Sequence, residues 1–317
     1  MKNEGYYGAD AVTLETLRWI CTLDKSFEEL YADTVNGVFT GIELSAQGGT
    51  LELAQNDGSF ERCAYVTESS TTTYLGMLNL NRGSFGLENG ACSSPKTEWE
   101  KIDALTALNN RSFRKALMHA FDKTAYNAVS RGWELAETNL RNTFTPPRFV
   151  KLEHDYTDQY GHTFPAGSFY GELVQYYCDE KGCQVDCRDG VDGWYKPELA
   201  AQCLADAVEE LGNQVQWPIR IDLVYNASSA VQSGQAMAYK ESVEGVLGSN
   251  YVCVNLIEAA DLGEYLDSCY YAETGADCNY DMFYGSGWAP DYGDPASYLN
   301  TFRYNVNGFL LKFLGLF

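Results

Sequence analysis

The chain has 317 residues, 45% of them hydrophobic, enough to bury a large core in one large domain or two lobes. Forty-four acidic against 22 basic residues give a formal charge of −22, a field that repels phosphate backbones and anionic headgroups, argues against nucleic acid as a partner and draws amine-bearing solutes. Ten cysteines are too sparse for a disulfide-built miniprotein and form no CxxC pair; only Cys178, Cys183 and Cys187 crowd together, and beside just three histidines they read as one local disulfide or free thiols rather than a zinc site.

No amino-terminal stretch combines positive residues, an apolar core and a small-residue cleavage site, so the written sequence taken literally reads as cytoplasmic. The apolar stretch 308–317 contains Lys312 and falls short of the roughly 20 apolar residues that a bilayer core requires.

Loose alternation from Val12 to Ile20 predicts a strand. A helix from Ser26 to Val35 follows, with Ser26 as cap, Glu28 and Glu29 in its first turn and Gly37 just past its end. A second strand runs from Thr72 to Leu80, and the Gly, Ser, Asn and Pro-rich stretch from Asn81 to Pro95 predicts a lobe boundary. Between Asn110 and Asp122, the residues Phe113, Ala116, Leu117, Ala120 and Phe121 share one helical face, with Arg111, Arg114 and Lys115 on the solvated side. The span from Asn142 to Gly167 is irregular.

A helix from Pro197 to Leu211 should turn Leu199, Cys203, Leu204, Ala207, Val208 and Leu211 inward and stop at Gly212. Ile219, Ile221, Leu223 and Tyr225 then alternate with polar positions as a strand. A helix from Ser229 to Leu247 and a strand from Tyr251 to Ile257 complete a parallel βαβ unit. A helix near Ala259 to Tyr271 and a strand from Tyr280 to Tyr284 continue the alternation, so the carboxyl half is α/β, with helices on both sheet faces.

Motifs for reaction chemistry are missing: HExxH, GxSxG and GxxxxGK do not occur, and Pro290 stands where the third glycine of a dinucleotide turn would follow Gly285 and Gly287. The strongest local signal runs from Tyr284 to Pro295. It reads as a glycine-loosened turn at the carboxyl end of a strand, where open α/β sheets bind ligands, carrying Trp288 and the carboxylates Asp291 and Asp294. Asp294 with Pro295 caps a helix starting at Ala296, whereas Asp291 comes too early for that cap.

The run from Gly287 to Leu299, Gly-Trp-Ala-Pro-Asp-Tyr-Gly-Asp-Pro-Ala-Ser-Tyr-Leu, resembles the signature of the oligopeptide-binding proteins of ABC importers (solute-binding protein family 5), in its streptococcal lipoprotein form. The likeness extends in order through the run from Ala107 to Asp122, through Arg141 to Pro147, through Trp194 to Ala200, and through Gly5-Tyr-Tyr-Gly-Ala-Asp10, covering roughly residues 1 to 302.

The resemblance implies an α/β fold of the two-lobe, periplasmic-binding-protein-like type II kind. The chain would be an incomplete fragment, covering part of one lobe and most of the other. Residues 1–80 would be a remnant of the first lobe with the crossing strand, 81–302 the second lobe, and 303–317 an unmatched tail. It further implies a binding protein without cofactor or catalysis, monomeric, lipid-anchored on the extracellular side, passing oligopeptides to ABC permease subunits. By the same resemblance Asp291 receives the α-amino group of the peptide. Trp288 and Ala289 supply a ring wall and a main-chain contact, and Tyr74 and Asn79 are hinge or ligand contacts. The alternatives are another solute, such as a nickel chelate, an opine or a sugar, and, more remotely, a hydrolase using Asp291 with Asp294; residues three apart around a proline show no sign of the separation such an acid pair requires.

Overall fold

The computed structural model describes residues 16–316 apart from 17, 67–70, 139, 189–190, 292–293 and 307. Helices α1 (Phe27–Val35), α2 (Thr50–Asn56) and α3 (Ser59–Cys63) come first. The Glu29 N–H donates to Ser26 Oγ while the Ser26 N–H donates to the Glu29 carboxylate, a capping box that starts α1 where the sequence predicts it. The strand expected over Val12 to Ile20 is not formed in its described part. Trp19 and Ile20 lie exposed in irregular chain, where no described strand pairs with them, and alternation makes a strand only against a partner. Residues 12–15 and 17, like the Gly5 to Asp10 run, lie outside the described residues.

After β1 (Thr73–Leu78) come α4 (Glu98–Asn109), α5 (Arg111–Ala120), α6 (Lys123–Arg131), a small hairpin of β2 (Tyr156–Thr157) and β3 (Thr163–Phe164), and α7 (Tyr170–Glu180). The carboxyl half continues with α8 (Pro197–Leu211), β4 (Ile219–Asn226), α9 (Ala230–Leu247), β5 (Val252–Ala259), α10 (Leu262–Asp267), β6 (Met282–Trp288), α11 (Ala296–Leu299) and α12 (Leu310–Phe313). The main sheet has the order β1-β6-β4-β5. β4 is parallel to β5 and to β6, with α9 crossing between β4 and β5 as the expected βαβ unit, while β1 runs antiparallel to β6.

Side chains alternate across this sheet, so each strand feeds two cores. Ile219, Ile221, Leu223 and Tyr225 of β4, with Val252, Val254, Met282 and Tyr284, face a core built with α4, α5, α8 and α9. Val224, Ile257, Ala259, Phe283 and Met77 face the opposite core, closed by Tyr265 of α10 and by Leu310 and Phe313 of α12. The sheet is therefore covered on both faces, which makes the fold α/β. α5 buries Phe113, Ala116, Leu117 and Ala120 as predicted. On α8 one position differs: Leu199 is exposed and Ala200 is buried in its stead, because the stripe facing the sheet starts one residue later.

Asp222, expected on a polar face of β4, is fully buried. Arg82 Nη1 donates to it at 2.7 Å and lies 3.1 Å from Asp281, and Lys96, also buried, pairs with Asp281 and lies 3.6 Å from Asp222. Asn255 Nδ2 and Arg82 Nη2 complete the network, donating to Asp222 Oδ1 and Asn279 Oδ1 at 2.8 Å each. The 81–95 stretch thus enters and leaves through two cations bound inside the sheet, with β1 before it and α4 after it in the same folded unit. Residues 308–316 also join this unit: the Leu80 N–H donates to the Leu314 carbonyl at 3.1 Å, and Leu310 and Phe313 are fully buried.

Candidate functional site

Gly285 and Gly287 do not form a turn. They lie inside β6, which continues through Trp288, and Tyr74 and Thr73 of β1 sit opposite Gly287 and Trp288. A β carbon on Gly287 would stand 2.9 Å from the Tyr74 ring, so the glycine lets that ring, 72% exposed, lie directly over the strand pair. Among the described strands β1 lies at the edge of the sheet, and its far side carries backbone groups of the kind an extended chain can pair with.

The loop after β6 is held by one serine. Trp288 Nε1 donates to the Ser297 carbonyl at 3.0 Å, and the Asp291 N–H donates to Ser297 Oγ at 2.9 Å. The half-buried Trp288 ring stacks on Phe309, 6.1 Å between centroids at 26°. Asp294 Oδ1 accepts the Ala296 N–H at 2.8 Å and its carbonyl accepts the Ser297 N–H, so Asp294 starts the short helix α11 as the sequence predicts. Ala289 and Asp291 are left exposed. The Asp291 carboxylate has no hydrogen bond or ion pair with any other described residue.

The beginning of β1 is pinned from behind. Arg141 Nη2 donates to the Thr72 carbonyl at 2.5 Å and to Thr73 Oγ1 at 3.0 Å, Thr73 Oγ1 donates to the Phe144 carbonyl at 2.6 Å, and the Tyr298 hydroxyl donates to the Thr71 carbonyl. Burial lowers the Arg141 guanidinium from its ordinary range and raises the Tyr298 phenol. Both groups serve as fixed donors holding the strand.

The structure therefore brings Tyr74, Trp288, Ala289 and Asp291 to one end of the β1–β6 ribbon. Asn79 is not among them. It follows the opposite end of β1, fully buried, with Nδ2 donating to the carbonyls of Gly275 (2.8 Å) and Cys278 (3.4 Å) and Oδ1 accepting the Asn81 N–H. Its amide is consumed within the chain and has no exposed atom for a ligand. Arg141, Thr73, Ser297 and Tyr298, which build the site, were not singled out from sequence; three of them fall in the quoted Arg141 to Pro147 and Gly287 to Leu299 runs, but what they hold depends on partners far away in the chain. No group of three or more His, Cys, Asp or Glu side chains able to hold a metal occurs among the described residues. A wide concavity of 650 Å³ lies elsewhere, between residues 84–89 and 267–277, and none of the predicted site residues lines it. Among the described residues the site is a strand edge.

The sequence model of the bacterial extracellular solute-binding proteins, family 5 Middle, matches residues 2–309. The oligopeptide-binding protein AliB of Streptococcus pneumoniae is 31% identical over 319 residues, 99% of this chain and 45% of that protein. The oligopeptide-binding protein SarA of Streptococcus gordonii is 28% identical over 303 residues, 95% of this chain and 43% of that one. The chain spans about half the length of the curated relatives it matches. Among solved structures, the substrate-binding domain of an oligopeptide ABC transporter from Bacillus anthracis aligns over 92% of this chain and 43% of its own, at 17% identity and a TM-score of 0.47.

Proposed function

Since the chain belongs to the bacterial extracellular solute-binding proteins, family 5, we propose that it works in the capture of oligopeptides for an ABC importer, with the β1–β6 ribbon end as the contact surface. The observation that carries this reading is the exposed Asp291 carboxylate just past the end of β6, without a partner among the described residues, together with the outer edge of the neighbouring β1, which no described strand pairs with. An extended peptide pairs with a strand edge through its main chain, which is indifferent to side-chain sequence, and a carboxylate at one end of that edge receives the ammonium of a free amino terminus. Tyr74 and Trp288 line the path with rings, and Ala289, without a bulky side chain, leaves its main chain open to the peptide. Curated relatives carrying the name oligopeptide-binding support the choice of ligand.

In this reading β1 is the crossing strand to a second lobe, and the peptide closes between the two lobes of a type II binding fold. The division at 80 and 302 survives as a proposal with two amendments: β1 shares its sheet with the second lobe, and residues 308–316 complete one of that lobe's cores. Asn79 acts as the hinge anchor, tying the end of β1 to the Gly275–Cys278 turn. The protein works as a monomer on the extracellular side of the membrane, lipid-anchored there, and delivers to permease subunits. It performs no chemistry on the peptide, since Asp294 is occupied as a helix cap and offers Asp291 no partner acid.

The test is thermal unfolding of the purified protein with rising concentrations of penta-alanine. A ligand that binds only the native state stabilises it by about 2.7 kcal/mol at a hundred times its dissociation constant. A saturable rise in melting midpoint with the peptide recovered intact is expected. No rise at millimolar peptide would overturn the proposal, and cleavage of the peptide would replace a binding role with hydrolysis.

A further inference from the structure

A cluster of three thiols lies outside the proposed ligand surface, at the end of α7. The helix ends in a Schellman motif: the Cys183 N–H donates to the Cys178 carbonyl at 2.9 Å, the Gly182 N–H donates to the Asp179 carbonyl at 2.9 Å, and Gly182 takes φ 70°. This closure folds the residue after the glycine back against the residue three before the helix end, a contact usually made by two apolar side chains. Here the two residues are Cys178 and Cys183. The Cys178 thiol donates toward the Cys183 carbonyl at 3.4 Å. Cys178 and Cys187 are buried with Val185 in a small satellite core, and Cys183 packs at its rim, partly open to solvent.

We infer that Cys178 and Cys183 form a thiol–disulfide site that closes into a bridge across the end of α7 when the protein meets a small-molecule disulfide. One backbone hydrogen bond already joins the two residues, and a second, from Gly182 to Asp179, closes the turn between them. Cys183, the more accessible of the two, reacts first: its thiolate attacks one sulfur of the oxidant, whose S–S bond breaks, and one half leaves as a thiol. Cys178 then attacks the Cys183 sulfur and the second half leaves. Two protons and two electrons pass from the cysteines to the oxidant, which ends as two thiols. Burial, helped by the neighbouring thiols, pushes the Cys178 thiol up, so the second step accelerates with pH. Cys187 also touches Cys178, but its own thiol leans toward the Val185 carbonyl at 3.9 Å and no backbone hydrogen bond joins it to Cys178.

The bridge is read by tryptic mapping of the reduced protein after incubation with glutathione disulfide, with free thiols alkylated. Lys181 lies between the two cysteines, so a closed bridge joins the peptides 152–181 and 182–188. The second peptide also holds Cys187, which makes variants decisive. We expect the joined species in the wild type and in C187S, formation at least tenfold slower in C183S, and a closure rate that rises with pH between 7 and 9. Circular dichroism of each reduced variant establishes that it is folded before mapping. Peptides that never join, or a bridge that forms at the wild-type rate in C183S and disappears in C187S, overturn the assignment.

Discussion

Replacing Lys96 with methionine removes one of two cations from the sealed network of Arg82, Lys96, Asp222 and Asp281. The Lys96 and Asp222 side chains have no exposure, and those of Arg82 and Asp281 have 2% and 3%, so neither water nor salt can compensate the missing charge. A buried charge left without its partner costs about 3–5 kcal/mol, and with an unfolding slope of about 3 kcal/mol/M in urea the midpoint falls by roughly 1–1.7 M. pH supplies the control. Burial alone would raise Asp222, but Lys96 and Arg82 outweigh it and hold the carboxyl below its ordinary value. A depressed folded pKa stabilises the protein above the unfolded value, about 3.9, and that contribution disappears as pH falls through the folded value. The gap between wild type and Lys96→Met should therefore be widest near pH 7 and narrow below about pH 4. Adding Asp222→Asn restores neutrality and should recover part of the loss in a double-mutant cycle. A gap independent of pH, or a double variant no better than the sum of its parts, would trace the loss to packing and refute the electrostatic account.

Three further outcomes follow from described contacts. Gly315→Ala places a β carbon 2.4 Å from Asn79 Oδ1 and 2.6 Å from the Asn81 nitrogen at φ 71°, and should destabilise by roughly 2 kcal/mol or more, whereas Gly245→Ala in open space on α9 should stabilise by about 0.5–1 kcal/mol; calorimetric melting compares them. Burial lowers His119, whose Nδ1 lies 2.8 Å from the Trp194 carbonyl, so its contribution is full above the unfolded value of about 6.5 and is lost as pH falls; melting midpoints between pH 7 and 5.5 should drop less steeply in His119→Gln. Asp291→Asn should weaken a free-amine peptide by roughly fivefold or more and leave its N-acetylated form unchanged, measured by calorimetric titration; equal effects on both would remove Asp291 from the ammonium role.

Local chemistry was legible in the sequence wherever neighbours decide the outcome. Ser26 with Glu29, Pro197 and Gly212 around α8, and Asp294 before α11 each act within a few residues, and the structure uses them as predicted. The β4–α9–β5 unit was legible because two short-range periods meet in one continuous stretch. What escaped depends on topology. Asp222 shows a polar pattern position, and only the arrival of Arg82, 140 residues away, makes it internal. Gly285 and Gly287 signal a turn by composition, yet pairing with β1 keeps them extended. Tyr74, Trp288 and Asp291 carried a family likeness, but Arg141 and Tyr298, which hold the strand they depend on, act through contacts 69 and 227 residues away in sequence.

The pairing of β1 with β6 also sets a timetable. Thr73 faces Trp288, and a ribosome adding about 5–20 residues per second takes roughly 10–40 s to make the intervening stretch of about 215 residues. During that interval no other described strand is available to pair with β1, and Tyr74, Leu75 and Met77 form part of a nascent chain with an open hydrogen-bonding edge. Among the described strands, the one made latest shelters the one made earliest. Chains that lose β6 to early termination would therefore release an unpaired β1 and one unclosed core, a species suited to capture by chaperones or to edge-to-edge association with other unfinished copies.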